Sequence, residues 1–138
     1  MKQQLALVSL LVHNYDEAIE FFVRVLGFNL LEDSPTVQSM NPGDMKRWVV
    51  VSPPGSSESA ILLAEAVGHE QLARIGDQTG GRVFLFLYTD DFWRDYELYK
   101  SRGVAFVRGV PREETYGTVA VFKDVSGNLW DLIEPRKD

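Results

Sequence analysis

The chain has 138 residues, 45% of them hydrophobic and 25% charged, and no cysteine. These values suit one compact domain that builds a core without covalent staples, and they exclude disulfides, thiolate metal sites and a cysteine nucleophile. A formal net charge of -6 argues against binding to nucleic acid, whose affinity rests on clustered Lys and Arg. No run of eighteen apolar residues offers a membrane span and Met1-Lys2-Gln3-Gln4-Leu5 is no secretory leader, so a cytoplasmic protein with neither nucleic acid nor membrane as partner is expected.

Residues 5–12 read as a mostly apolar strand interrupted by Ser9. His13-Asn14-Tyr15-Asp16-Glu17 then opens a helix, with Asn14 as cap, Glu17 three residues on, and two acids at the positive end of the helix dipole. Tyr15, Ala18, Phe22 and Val25 or Leu26 recur at helical spacing, and Gly27 stops the helix. Residues 28–32 form the next expected strand. Residues 33–45 are loop-rich, with Pro35 and a turn at Asn41-Pro42-Gly43-Asp44. Strands over 47–52 and 60–64 flank a polar connection.

Residues 67–81 link two halves and include a short helix over 70–75. After them the opening plan returns. Residues 83–87 are a strand, Thr89 or Asp90 a cap, and Phe92, Tyr96 and Tyr99 a helical stripe that ends at Gly103. Strand, acidic helix start, aromatic stripe, terminal glycine and strand recur in one order, which an internal repeat of a βαβββ unit explains. A strand over 104–110, a turn at Arg112-Glu113-Glu114, and a hairpin complete the second unit. The hairpin is the strongest local signal: strands over 118–122 and 129–133 flank Asp124-Val125-Ser126-Gly127-Asn128, whose Gly and Asn tolerate a tight reversal. Period-2 alternation sets Asp131 on the face of Leu129 and Ile133, an acid on an otherwise apolar surface.

The hairpin from Tyr116-Gly117 to Glu134-Pro135, with Tyr15-Asp16-Glu17-Ala18-Ile19-Glu20-Phe21-Phe22 and Val25-Leu26-Gly27-Phe28, resembles the glyoxalase, bleomycin-resistance and extradiol dioxygenase superfamily, the vicinal oxygen chelate proteins. The resemblance implies an α+β fold of two βαβββ units forming curved mixed sheets around a cup. Residues 4–66 make unit one, 67–81 the linker and 82–135 unit two, within a single glyoxalase-like domain. A homodimer with a small organic molecule in the cup is also implied. In metal-using members, two ligands come from the first strands of the units and two from their last strands. Those places fall here on Leu7, Leu62, Arg82 and Asp131, of which Asp131 alone could ligate a transition ion. No metal site is therefore expected and no cofactor; the alternative is a lyase, isomerase or dioxygenase with a divalent transition metal held by other residues. The chain has two histidines, His13 and His69, which read better as surface residues at turns than as a ligand pair.

Strand parity suggests that Arg82 and Asp131 face one cup and pair there, so that loss of either would cost about 3 to 5 kcal/mol. Phe84, Phe86 and Tyr88 would share that side, with Trp48 contributing to the lining, and Tyr116 with the Arg112-Glu113-Glu114 turn would overhang the cup against the ligand. Asp131 would hold the arginine or act as a base, and Arg82 would anchor a ligand oxygen. Sheet core is the competing reading for the aromatic residues. For Glu65 and Glu134 it is a solvated strand end.

Overall fold

The computed structural model describes residues 1–35, 46–56 and 58–137; the turn expected at Asn41-Pro42-Gly43-Asp44 lies outside them. The fold is α+β, as the sequence reading expects, with two compact units, Met1–Ala73 and Arg74–Asp138, each containing a four-stranded mixed sheet.

Unit one runs β1 (Leu7–Val12), α1 (Tyr15–Ile19, continued as a π-helix over Glu20–Val25), β2 (Asn29–Pro35), β3 (Arg47–Ser52) and β4 (Ala60–Glu65), with strand order β1-β4-β3-β2. After α2 (Gly68–Arg74), unit two repeats the plan with β5 (Val83–Tyr88), α3 (Phe92–Ser101), β6 (Phe106–Glu114), β7 (Gly117–Lys123) and β8 (Leu129–Pro135), ordered β5-β8-β7-β6. In each unit the first strand runs parallel to the last, and the other pairings are antiparallel.

Alternation makes one face of each sheet apolar, and the helix covers that face. In unit one Leu10, Val12, Val49, Val51 and Leu63 are fully buried, as are Ala18 and Phe22 of the helical stretch. In unit two Tyr99 meets Phe122 edge-on at 5.7 Å, and Phe122 stacks on Trp130 at 5.6 Å. Aromatic pairs of this kind add directional energy to burial.

The repeat extends to the caps. Asn14 Oδ1 accepts from Glu17 N at 2.9 Å, and Asp91 Oδ1 accepts from Arg94 N at 3.1 Å. The cap of α3 is thus Asp91 rather than the expected Thr89 or Asp90; Thr89 instead accepts from Asp91 N and bonds the Asp95 carboxylate. Glu65 and Glu134 are not solvated strand ends. Glu65 Oε2 accepts from Tyr15 N at 3.2 Å and Glu134 Oε1 from Phe92 N at 2.8 Å, so the last strand of each unit supplies an anion to the N-terminus of the unit's helix. A negative charge there satisfies orphan N–H groups and complements the dipole.

The two helical stretches differ by one residue, thirteen from Tyr15 to Gly27 against twelve from Phe92 to Gly103. The π-turn takes up the extra one: Leu26 N donates to Phe21 O, five residues back, at 3.0 Å. Two further boundaries differ from expectation. β2 continues to Pro35 past the expected start of loop at Asp33, and β6 continues through Arg112, Glu113 and Glu114, so the reversal falls on Thr115-Tyr116. A Cβ on Gly117, which follows that reversal, would lie 2.2 Å from the Glu134 carbonyl oxygen. Close pairing of β7 on β8 therefore requires glycine at this position.

Candidate functional site

The face of the second sheet opposite α3 brings a small polar cluster onto an apolar floor. One row across it is Phe86, Asp131, Val121 and Val107; the next is Tyr88, Ile133, Val119 and Arg112. Val119, Val121 and Ile133 are buried, whereas Phe86 and Tyr88 on the β5 edge remain 61% and 69% exposed. Asp131 is half-buried. Burial pushes its carboxyl above the ordinary carboxylate value, and the charges of Arg112 and Arg108 partly offset the shift. Chemically, the face offers exposed rings for stacking, one carboxylate that holds its proton more tightly than usual, and two guanidinium groups.

Of the residues singled out in the sequence, Phe86 and Asp131 lie side by side. Arg82 does not join them. It is exposed, precedes β5, and among the described residues no ion pair links it to Asp131. The cause is an irregularity between Val83 and Leu85, which breaks the parity that would have carried Arg82 and Phe84 onto the side of Phe86. Phe84 is half-buried at that irregularity. Tyr116 stands exposed in the β6–β7 reversal. Trp48 belongs to unit one, on the face opposite the one where Val49 and Val51 are buried. The sequence reading missed Arg108, and it set Arg112 in a turn over the cup rather than in a strand whose charge acts on Asp131. Gly109 and Pro111 inside a strand were the available signal, since both residues mark bulges.

A family model described as the Glyoxalase/Bleomycin resistance protein/Dioxygenase superfamily matches residues 4–132. The chain belongs to this superfamily. An uncharacterized protein of Shewanella frigidimarina (strain NCIMB 400) is 56% identical over 97% of this chain and 95% of its own length. Among solved structures, UcmS2 matches with a TM-score of 0.80 and 28% identity over 97% of this chain and 99% of that one. TnmS3, described as an antibiotic binding protein from Streptomyces sp. CB03234, matches with a TM-score of 0.75 and 28% identity over 98% of each chain.

The superfamily's metal positions can be tested against the donors present. The matching roles of Glu65 and Glu134 make Leu62 the counterpart of Asp131, and neither Leu62 nor Leu7 has a donor atom. Leu7 faces Ala60, whose counterpart Leu129 faces Val83. The first-strand place in unit two is therefore Val83 and not Arg82, which corrects the sequence registration without adding a ligand. His13 and His69 are both exposed, and among the described residues no three His, Asp or Glu side chains gather closely enough to hold an ion. The residues at the superfamily's metal positions do not fit a metal, which needs several converging donors.

In unit one the strongest polar cluster is structural. Arg47 bonds Asp33 twice, at 3.0 and 2.7 Å, and Asp16 once at 3.0 Å, and its guanidinium lies 5.1 Å from the centre of the Tyr15 ring. The Arg47 hydrogen bond holds the Asp33 carboxyl below the usual carboxylate range. This fork ties β2, β3 and the start of α1 together.

Proposed function

We propose that this protein binds a small organic molecule on the Asp131 face of its second sheet, as a metal-free binding or sequestering member of the superfamily. The observation that carries the reading is the pair of large rings, Phe86 and Tyr88, left exposed at 61% and 69% beside a half-buried carboxylate. Exposed aromatic surface with a few convergent polar groups is characteristic of ligand sites. The similarity to TnmS3, an antibiotic binding protein, supports the same reading. So do the donor-poor positions Leu7, Leu62 and Val83.

A second reading, metal-free catalysis with Asp131 as general base, is favoured by the raised Asp131 carboxyl, because a base works best when its pKa approaches the working pH. Metal-dependent lyase or dioxygenase chemistry would need donors from outside the superfamily's positions.

The test is a thermal-shift screen of aromatic small molecules against the parent and Phe86→Ala, with elemental analysis of the same preparation. Hits that raise the melting temperature of the parent but not of Phe86→Ala are expected, together with less than a tenth of an equivalent of transition metal. A full equivalent of metal, lost on Asp131→Ala, overturns the metal-free part; hits indifferent to Phe86→Ala overturn the site.

The same proposal includes a cytoplasmic homodimer. The edge strand β2 exposes Leu30 and Leu31 at 43% and 58%, apolar surface on a strand edge that association would cover. Light scattering is expected to give twice the 15.6 kDa of one chain; a mass of one chain at micromolar concentration overturns it.

A further inference from the structure

Strands β6 and β5 form opposite edges of the second sheet, three strand spacings of about 4.8 Å apart. Within β6, Val107 pairs with Val121 and Arg112 with Val119. Arg108, Gly109, Val110 and Pro111 consequently bulge out opposite Ala120. Arg108 stands at φ +59, the one non-glycine residue with positive φ among those described, and a side chain is disfavoured in that region. From there its Nη2 donates to the Gly81 carbonyl at 2.9 Å, in the segment that enters β5 at the far edge. Arg108 thus ties one edge of the sheet to the chain entering the other, and its charge also acts on Asp131.

The acceptor at the far end is a neutral carbonyl, whereas a guanidinium bonds an ionised oxygen more strongly and has five N–H donors to offer. Arg112 differs, since Glu114 lies 3.6 Å from its Nε. With Glu114 counted, the charges of Arg108, Arg112 and Asp131 balance on this face, and Arg108 is the cation whose hydrogen-bond acceptor carries no charge. Strained backbone persists where neighbouring structure holds it in place, and paired residues on both sides of the bulge do so here.

We infer that Arg108 is the ligand-selecting residue of this face: its guanidinium exchanges the Gly81 carbonyl for an ionised oxygen, a carboxylate or enolate, on a molecule seated against Phe86 and Tyr88. The inference rests on the reading of this face as the ligand site and adds the chemical class of the ligand. Arg108 selects by charge; the aromatic residues supply affinity that is indifferent to charge.

Two probes of matched shape separate these contributions, 2-naphthoate and its neutral counterpart 2-naphthamide, titrated by calorimetry into the parent, Arg108→Gly, Arg108→Lys and Phe86→Ala. Glycine suits the backbone at position 108, so that variant should keep the fold, which circular dichroism checks. The parent should bind naphthoate at least tenfold more tightly than naphthamide. Arg108→Gly should abolish the preference while leaving naphthamide unchanged, and Arg108→Lys should restore part of it. Phe86→Ala should weaken both probes alike. An undiminished preference in Arg108→Gly overturns the role of Arg108 and leaves the ligand face standing. Binding of neither probe to the parent at millimolar concentration, or binding of both unaffected by Phe86→Ala, overturns the ligand face and the inference with it.

Discussion

Replacing Asp124 with alanine is expected to destabilise the protein by about 3 kcal/mol or more, a larger loss than any surface substitution would give. Asp124 is 6% exposed, and its carboxylate accepts from Ser126 N at 2.9 Å, Asn128 N at 3.0 Å, Asn128 Nδ2 at 3.3 Å and Trp130 Nε1 at 2.9 Å. Trp130 and Asn128 are themselves buried. Truncation therefore leaves several buried donors unpaired, each costing about 1 to 3 kcal/mol. Burial nonetheless holds the Asp124 carboxyl above its ordinary value, ahead of the opposing effect of its donors, so removal of the charge returns a part of the loss. Asp124→Asn should fall between parent and alanine, because its amide can accept on one atom but turns donors toward donors on the other. Urea unfolding followed by tryptophan fluorescence measures all three; an alanine variant within 0.5 kcal/mol of the parent would sink the proposed role of Asp124 in holding the hairpin.

Asp124 also shows where sequence reasoning stops short. Asp124-Val125-Ser126-Gly127-Asn128 was legible as a turn because its residue types suit a reversal. That the aspartate is buried and collects the Trp130 indole six positions on depends on β8 returning beside β7, a long-range fact. The repeat of two βαβββ units was legible for the opposite reason. Each unit carries its own capping residue, apolar stripe and terminal glycine, and all are local signals. Even the one-residue difference between the helical stretches was present in the spacing of Gly27 and Gly103, although only the backbone shows a π-turn absorbing it.

The candidate site was half legible. Asp131 and Phe86 follow from alternation along two parallel strands, and the structure sets them side by side. Arg82 fails because parity survives only while every residue is paired, and β5 has its irregularity between Val83 and Leu85. The same kind of interruption in β6 places Arg108 and Arg112 near Asp131. Sheet edges tolerate bulges because they have a partner on one side only, and bulges re-aim side chains there. The cations therefore came from the elements whose register alternation predicts least well.

Asp131→Asn is expected to weaken the binding of 2-naphthamide, whose N–H groups can donate to the carboxylate, about a hundredfold while leaving the protein at least as stable as the parent near neutral pH. On the binding side, the carboxylate is the half-buried acceptor in the row of Phe86, and a hydrogen bond to a charged group is worth about 1.5 to 3 kcal/mol, the upper end of which corresponds to about a hundredfold in Kd. The stability side follows from the direction of the shift. Because burial outweighs Arg112 and Arg108, the folded carboxyl lies above the ordinary value of 3.8, and the native chain binds the proton more tightly than the unfolded one. Between those two values folding takes up a proton, so stability falls as pH rises through the folded pKa and is greatest below 3.8. Asparagine carries no charge to be burdened by burial. The variant's advantage should therefore be present at neutral pH, shrink on acidification through the raised value and vanish below the ordinary one. Thermal melts of parent and variant across pH 3 to 8, with naphthamide titrations at pH 7, read both halves. A variant less stable than the parent at neutral pH would show that Asp131 is held as a partner of Arg108 and Arg112. Unchanged naphthamide affinity would remove Asp131 from the site.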